Sequence, residues 1–386
     1  MRSVSIFGAT GSVGVSALEL IAHEPDRWSV EALTANTNAQ LLARQAKACG
    51  AHMAVVAADS AYAELKDALS GTGIECAAGT AALEEAAMRS ADVTLAAIVG
   101  AAGLLTTLRA VEQGGIVAIA NKETLVCAGP LVTAAAQASG ARLLPVDSEH
   151  NAIFQVFDFD APESVARIIL TASGGPFRTL SCEQMRTMTP DQAIAHPVWS
   201  MGAKISVDSA TLMNKGLEMI EAARLFPVGP DQIDVVVHPQ SIVHSFVEYI
   251  DGSVLAQLGS PDMKTPIAYA LAYPERISTP VERLDLVSAG RLDFEAPDPQ
   301  RFPALRLARE ALEMDGGAPI ALNAANEVAV EAFLKKRIGF LDICAINEEV
   351  MGRMSGAAAA TLEDVQQADS AARVLAGDAV SARQRR

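Results

Sequence analysis

Val4-Ser5-Ile6-Phe7-Gly8-Ala9-Thr10-Gly11-Ser12-Val13-Gly14 decides how the first part of this chain is read. Val4–Phe7 is a short apolar run of the kind that forms a buried strand. Three glycines then stand at a GxxGxxG spacing, and from Gly14 to His23 the apolar residues follow a helical period. Glycine suits such a corner because the chain turns tightly and its amides approach whatever sits at the helix N-terminus, often a pyrophosphate. A plain tight turn between strand and helix is the other reading. The strand before and the helix after favour the dinucleotide turn.

Outward from that corner the same alternation continues. Val30–Leu33, Met53–Val56, Val93–Ile98, Ile116–Ala120 and Arg142–Val146 read as further strands. Between them Asn38–Cys49 and Thr106–Gln113 have helical period. Regular strand–helix–strand succession implies right-handed crossovers and a doubly wound parallel sheet over residues 1–147, a Rossmann-like domain. Ligands of such sheets lie at the carboxyl ends of the strands.

Composition narrows the function class. The chain has 386 residues, half of them hydrophobic and a fifth charged, enough apolar material for more than one core. Thirty Lys and Arg face 46 Asp and Glu, a formal charge of −16. Nucleic acid is therefore not the expected partner, because phosphate backbones are bound by excess cations. Five scattered cysteines without a CxxC pair argue against a disulfide framework and a thiolate zinc site. No secretory signal and no long apolar span are visible, so a soluble cytoplasmic protein without membrane contact is expected.

Residues 148–285 change character, with Gly, Ser and Pro punctuation, four histidines and strand-like runs at Arg167–Thr171, Ile233–Val237, Ser241–Tyr249 and Ser253–Leu258. A central α+β domain is expected there, then a linker over 286–301. A C-terminal helical bundle domain is expected over 302–386, with Ser381–Arg386 frayed.

Several clusters carry chemistry. Leu33-Thr34-Ala35-Asn36-Thr37-Asn38 ends the second strand without a carboxylate, which leans to NADP over NAD. Asn121-Lys122-Glu123 and Asp147-Ser148-Glu149 follow the fifth and sixth expected strands. Carboxylates at i and i+2 there chelate a hard divalent cation, or form an ordinary loop with a capping serine. Ala172-Ser173-Gly174-Gly175-Pro176-Phe177 offers a hydroxyl and amides to an anion. Lys204 to Glu218 packs polar groups into 15 residues, and on a helix Asn214, Lys215 and Glu218 lie near one face, as a phosphate clamp beside a carboxylate or as a solvated face. His196-Pro197-Val198-Trp199-Ser200-Met201-Gly202 reads as a water-excluding lid or as a loop anchored by its tryptophan. His238 and His244 are weighed as structural, at an interface or a pocket wall.

Taken together, GATGSVG, ANKE, PVDSEHNAIFQ, ASGGPF, HPVWSMG, KISVDSATLMNKGLE, HPQSIVHS and QLGSPDM, running in that order from residue 8 to 263, resemble the 1-deoxy-D-xylulose 5-phosphate reductoisomerases. The resemblance implies an NADPH- and divalent-metal-dependent homodimer acting on a small phosphorylated sugar. Its metal, Mg²⁺ or Mn²⁺, would be held by Asp147, Glu149 and Glu218. Thr10, Gly11, Ser12, Val13, Asn38, Asn121, Glu123 and Gly202 would line the cofactor. Lys122, Ser148 and Glu149 would touch the substrate backbone, and Ser173, His196, Ser209, Asn214 and Lys215 its phosphate. Trp199 and Met201 would belong to the lid and Met263 to the pocket wall. Catalysis would fall to Lys122, Asp147, Glu149, Glu218 and His196. Some members carry a basic residue after the second strand, and Asn36-Thr37-Asn38 stands there in this chain. Two rivals are a semialdehyde dehydrogenase using Cys127 as nucleophile and a nucleotide-binding regulator without turnover.

Overall fold

The computed structural model describes residues 1–196, 199, 202–354 and 356–384. Its strands are β1 (Arg2–Phe7), β2 (Trp28–Ala35), β3 (Met53–Val56), β4 (Glu75–Ala78), β5 (Val93–Ala96), β6 (Ile116–Ile119), β7 (Arg142–Pro145), β8 (Val165–Ala172), β9 (Ile233–Val237), β10 (Val243–Tyr249) and β11 (Val254–Leu258). The chain divides into two compact units. The first holds Met1–Thr124, Val132–Phe154 and Asp262–Glu282; the second holds Leu125–Leu131, Gln155–Pro261 and Arg283–Arg386.

The first unit is built on a seven-stranded parallel sheet in the order β4-β3-β2-β1-β5-β6-β7. Its inner strands are rich in apolar residues because crossover helices cover both faces; β3 and β5 are buried at every residue. The strand order reverses at β1, so a crevice opens between the loops after β1 and β5. Gly14, in the first turns of the Ser12–His23 helix, meets the strand-to-helix corner closely, and a Cβ there would stand 2.4 Å from the Gly8 carbonyl oxygen. β4 escapes the sequence pattern because Glu-Cys-Ala-Ala lacks β-branched residues and lies partly exposed at the sheet edge.

This unit also takes the distant helix Lys264–Ala272, whose Ile267, Ala268, Ala270 and Leu271 join the core of Leu20, Ile21 and Leu42. Full burial of such an Ile or Leu contributes about 1.5–3 kcal/mol, which draws the segment out of its sequence neighbourhood. The units thus cut the chain differently from the expected boundaries at 147 and 285. Sequence runs blur this division because its closing helix comes more than a hundred residues later.

The second unit has a mixed sheet in the order β11-β10-β8-β9, with β8 parallel to β9 and antiparallel to β10. Helix Ala203–Thr211 shares one core with the C-terminal helices. Val207, Ala210 and Phe177 pack in the same cluster as Ala325, Phe333, Ile346 and Ala376. Residues 302–386 form the helical C-terminal region that was expected, and they lie in one compact unit with β8–β11. The stretch expected as a linker is tied down too: Glu295 bridges Val237, and the Asp293 carbonyl accepts from His238 Nδ1 at 2.8 Å. The last helix, Leu362–Gln384, takes in residues 381–384 of the segment expected to fray, whose last two residues lie outside the described ones. There the Ser381 hydroxyl donates to the Gly377 carbonyl at 2.9 Å, and Arg383 pairs with Glu349 at 3.0 Å. Among the described residues no helix is long and apolar enough to cross a membrane.

Candidate active site

In the first unit the candidate residues gather at the carboxyl ends of the parallel strands. After β1 the Gly11 amide donates to the Gly8 carbonyl at 3.0 Å, and Ser12 begins the helix. Gly11, the N-cap, brings no side chain, so the first-turn amides and the positive end of the helix dipole face outward. Gly11 and Ser12 are exposed, Thr10 and Val13 half-buried. That is the chemistry of a pyrophosphate seat. Asn38, after β2, is exposed and caps the Ala39–Cys49 helix by accepting from the Leu41 amide at 3.1 Å.

The β6 and β7 ends are denser. Asn121 is buried and works in two directions. Its Oδ1 accepts from the Thr124 amide at 3.3 Å, capping the Lys122–Ser139 helix, while its Nδ2 donates to the Gly100 carbonyl at 2.9 Å. Glu123 is buried in the first turn of that helix, where a carboxylate meets the positive end of the dipole. Lys122 Nζ is ion-paired with the Asp147 carboxylate, both side chains only slightly exposed. Ser148 donates to Glu149, and a carboxylate oxygen of Asp147 lies within 4.8 Å of one of Glu149. Oxygen donors so placed suit a hard divalent cation.

In the second unit Ser173 follows β8. Gly175, two residues on, has φ +66° and presses against helix Ala203–Thr211; a Cβ there would stand 2.6 Å from the Ser209 carbonyl. Ser173 Oγ lies 2.8 Å from His196 Nε2 and 3.4 Å from Ser209 Oγ. His196 Nδ1 accepts the Trp199 backbone N–H at 2.9 Å, so the imidazole proton sits on Nε2 and points at Ser173. Burial pushes the His196 pKa down, which keeps this neutral tautomer. The Trp199 ring is 6.4 Å from the His244 ring. Met201 lies outside the described residues. Gly202 is exposed and is the N-cap of the Ala203–Thr211 helix.

Asn214, Lys215 and Glu218 do share one helix, but the stretch from Lys204 to Glu218 is divided between two. Leu212, buried with φ +62°, turns the chain between Ala203–Thr211 and Met213–Leu225. A left-handed Leu is strained and persists only where packing holds it. The break leaves Ser209 on one helix and Asn214, Lys215 and Glu218 together on the next. Asn214 Nδ2 and Lys215 Nζ both contact the Glu218 carboxylate, which has no solvent exposure.

His238 is structural, as weighed. Its Nδ1 donates to the Asp293 carbonyl, and its Nε2 accepts the Ile242 amide at 3.2 Å, which uses both ring nitrogens. Cys127 is buried in the helix Lys122–Ser139, away from the exposed position a nucleophile needs. Sequence reading passed over Asp208, a buried carboxylate inside a quoted motif. Its partner comes from Asn326, 118 residues later, and nothing in the local pattern announces that.

Comparison with known proteins decides among the readings. The 1-deoxy-D-xylulose 5-phosphate reductoisomerase of Rhodospirillum centenum is 60% identical over 382 residues, 99% of this chain and 95% of its own length. The chain belongs to the 1-deoxy-D-xylulose 5-phosphate reductoisomerase family. The reductoisomerase of Zymomonas mobilis is 56% identical, covering 97% of both chains. The family's profile matches residues 4–129, that of the reductoisomerase C-terminal domain 143–226, and that of a further DXP reductoisomerase C-terminal domain 258–375. A solved Zymomonas mobilis reductoisomerase in complex with NADPH superposes with a TM-score of 0.94 at 53% identity, covering 98% of each chain. A DOX-P reductoisomerase in complex with NADPH, fosmidomycin and magnesium also gives 0.94, at 43% identity, covering 99% of this chain and 98% of that one.

Proposed function

We propose that this reductoisomerase divides its chemistry between the first unit's sheet edge and the second unit's two short helices. The chain is an NADPH- and divalent-metal-dependent oxidoreductase of isoprenoid precursor biosynthesis. It rearranges 1-deoxy-D-xylulose 5-phosphate and reduces the product to 2-C-methyl-D-erythritol 4-phosphate. The observation that carries the residue assignment is one edge of one sheet. The glycine corner after β1 and the Lys122, Asp147 and Glu149 group after β6 and β7 all lie at its carboxyl ends.

Bound NADPH supplies the hydride, and a bound Mg²⁺ or Mn²⁺ supplies Lewis acidity toward substrate oxygens. Both fit the residues present. The uncapped N-terminus of the Ser12–His23 helix suits a pyrophosphate, with Thr10, Gly11, Ser12 and Val13 around it. Asn38, Asn121, Glu123 and Gly202 line the rest of the cofactor. Asp147, Glu149 and Glu218 are all-oxygen donors of the type hard cations take, and the burial of Glu218 keeps its charge out of water. Lys122 and Ser148 contact the substrate's carbon backbone. The Lys122 ammonium stabilises oxyanion charge as it develops.

The phosphate end belongs to the second unit. Ser173 and Ser209 offer hydroxyls, Asn214 an amide and Lys215 a cation, while His196 Nε2–H orients the Ser173 hydroxyl. Gripping the phosphate gives remote binding energy that orients the reacting carbons. Trp199 belongs to the cover that keeps water from the reactive fragments.

The same reading places the enzyme in the cytoplasm, in keeping with five cysteines that form no disulfide. It also makes the enzyme a homodimer. β11 is an edge strand whose Val254 and Leu255 are about half exposed, and Ile250 beside it is exposed. An apolar sheet edge of this kind is normally covered. Sedimentation of the purified protein tests the dimer, and a monomer at all concentrations refutes it.

The deciding experiment follows NADPH oxidation by purified protein with 1-deoxy-D-xylulose 5-phosphate, with Mn²⁺ or Mg²⁺ and then with excess chelator. Oxidation that needs both substrate and metal is expected. Oxidation indifferent to chelator would remove the metal role of the three carboxylates.

A further inference from the structure

Asp208 has no solvent exposure, yet it sits on the Ala203–Thr211 helix, whose Val207 and Ala210 pack in one apolar cluster with Ala325, Ile343 and Ile346. One carboxylate oxygen accepts from Asn326 Nδ2 at 2.7 Å, and the other lies 2.9 Å from Lys204 Nζ one turn earlier. The Asn326 Oδ1 accepts in turn from Asn347 Nδ2 at 3.1 Å. Asn326 and Asn347 are fully buried as well, on the helices Gly317–Leu334 and Asp342–Arg353. A buried charge is poor value as a source of stability, since apolar residues of the same volume often serve as well. What it adds is direction. Apolar contacts tolerate a helix sliding or rotating, whereas a charge-assisted hydrogen bond does not.

Direction matters here because of the next residue. Side chains of successive residues on a helix point about 100° apart, so fixing Asp208 toward the C-terminal helices fixes where Ser209 points. Ser209 Oγ then lies 3.4 Å from Ser173 Oγ, which is held by His196. Three residues beyond Ser209, the strained Leu212 passes the helix's setting on to Asn214 and Lys215.

We propose that Asp208, with Asn326 and Asn347, is a positioning residue for phosphate recognition, locking the rotation of the helix that carries Ser209. The proposal rests on the assignment of Ser173, Ser209, Asn214 and Lys215 to the substrate phosphate.

The test uses the full-length enzyme and inorganic phosphate as competitive inhibitor. Asn326→Ala is expected to raise the inhibition constant of phosphate and the KM of the sugar phosphate together by about tenfold, with the KM of NADPH unchanged. Asp208→Asn, which keeps a directional bond to Asn326, is expected to stay within about threefold of wild type. A lowered Tm with an unchanged phosphate inhibition constant would mean a structural role alone and would overturn the proposal. Should Asn326→Ala fail to fold, Asn347→Leu, one bond further out, is read by the same two constants. Ser209→Ala separates the two levels of the argument. If it leaves phosphate inhibition unchanged, the phosphate assignment itself fails. If it weakens inhibition while the asparagine variants do not, only the positioning role fails.

Discussion

Lys122 and Asp147 are ion-paired across the ends of two adjacent parallel strands, β6 and β7. The cation is one residue into a helix and the anion one residue before another, so the sheet itself sets their approach. A divalent cation ligated by Asp147 competes with the Lys122 ammonium for the same carboxylate. Lys122→Met is therefore expected to tighten Mn²⁺ binding by roughly three- to tenfold, since an opposing charge has been removed. Turnover is expected to move the other way, falling at least about a hundredfold with the loss of oxyanion stabilisation. Calorimetric Mn²⁺ titration beside steady-state rates checks both. Weaker Mn²⁺ binding in the variant would show that Lys122 supports the metal site instead of competing with it.

Glu218 is fully buried and shared by Asn214 and Lys215. Glu218→Gln keeps the shape and removes one charge. Metal affinity and kcat are expected to fall together by at least about ten- to a hundredfold, the range seen when even supporting groups of a metal site are changed. NADPH binding, proposed above to use the first unit's glycine corner, is expected to survive, as measured by fluorescence titration. Normal metal-dependent turnover in Glu218→Gln would sink the ligand assignment.

The first unit was legible because its signals are local: short apolar-rich strands, helical periods and a glycine corner between them. Met53–Val56 matches its sequence reading residue for residue. β4 was not legible, since an edge strand needs no apolar face. The break at Leu212 was hidden too, because nothing in Ala-Thr-Leu-Met-Asn marks a left-handed residue; tertiary packing imposes it. Pairings over long separations, such as Lys122 with Asp147 or Asp208 with Asn326, need the fold before they can be seen. The Lys264–Ala272 helix shows the same limit at the scale of a whole unit.

Cys127 separates this enzyme from cysteine-dependent reductases that also begin with a glycine-rich corner. The residue is 5% exposed inside a helix kinked at Ala128, two residues before Pro130. Cys127→Ser is expected to keep kcat within about twofold while lowering Tm by a few degrees, because a hydroxyl replaces a buried thiol. A loss of turnover of about a thousandfold or more in that variant, with Tm unchanged, would revive the nucleophile reading.

His196 makes stability depend on pH in a calculable direction. Burial lowers its pKa in the folded protein, while the unfolded chain keeps the ordinary value of about 6.5. Unfolded chains then take up the proton first as the medium is acidified. The contribution of His196 is fully present above about pH 6.5 and is lost as pH falls toward and through the lowered folded value. Protonation also turns Nδ1 into a donor, which breaks its bond from the Trp199 amide. His196→Gln has no such titration. Tm measured from pH 8 down to pH 5 is expected to fall more steeply for wild type than for His196→Gln, the gap narrowing below about pH 6.5. Parallel Tm curves for the two proteins would show that the neutral imidazole does not hold this part of the site.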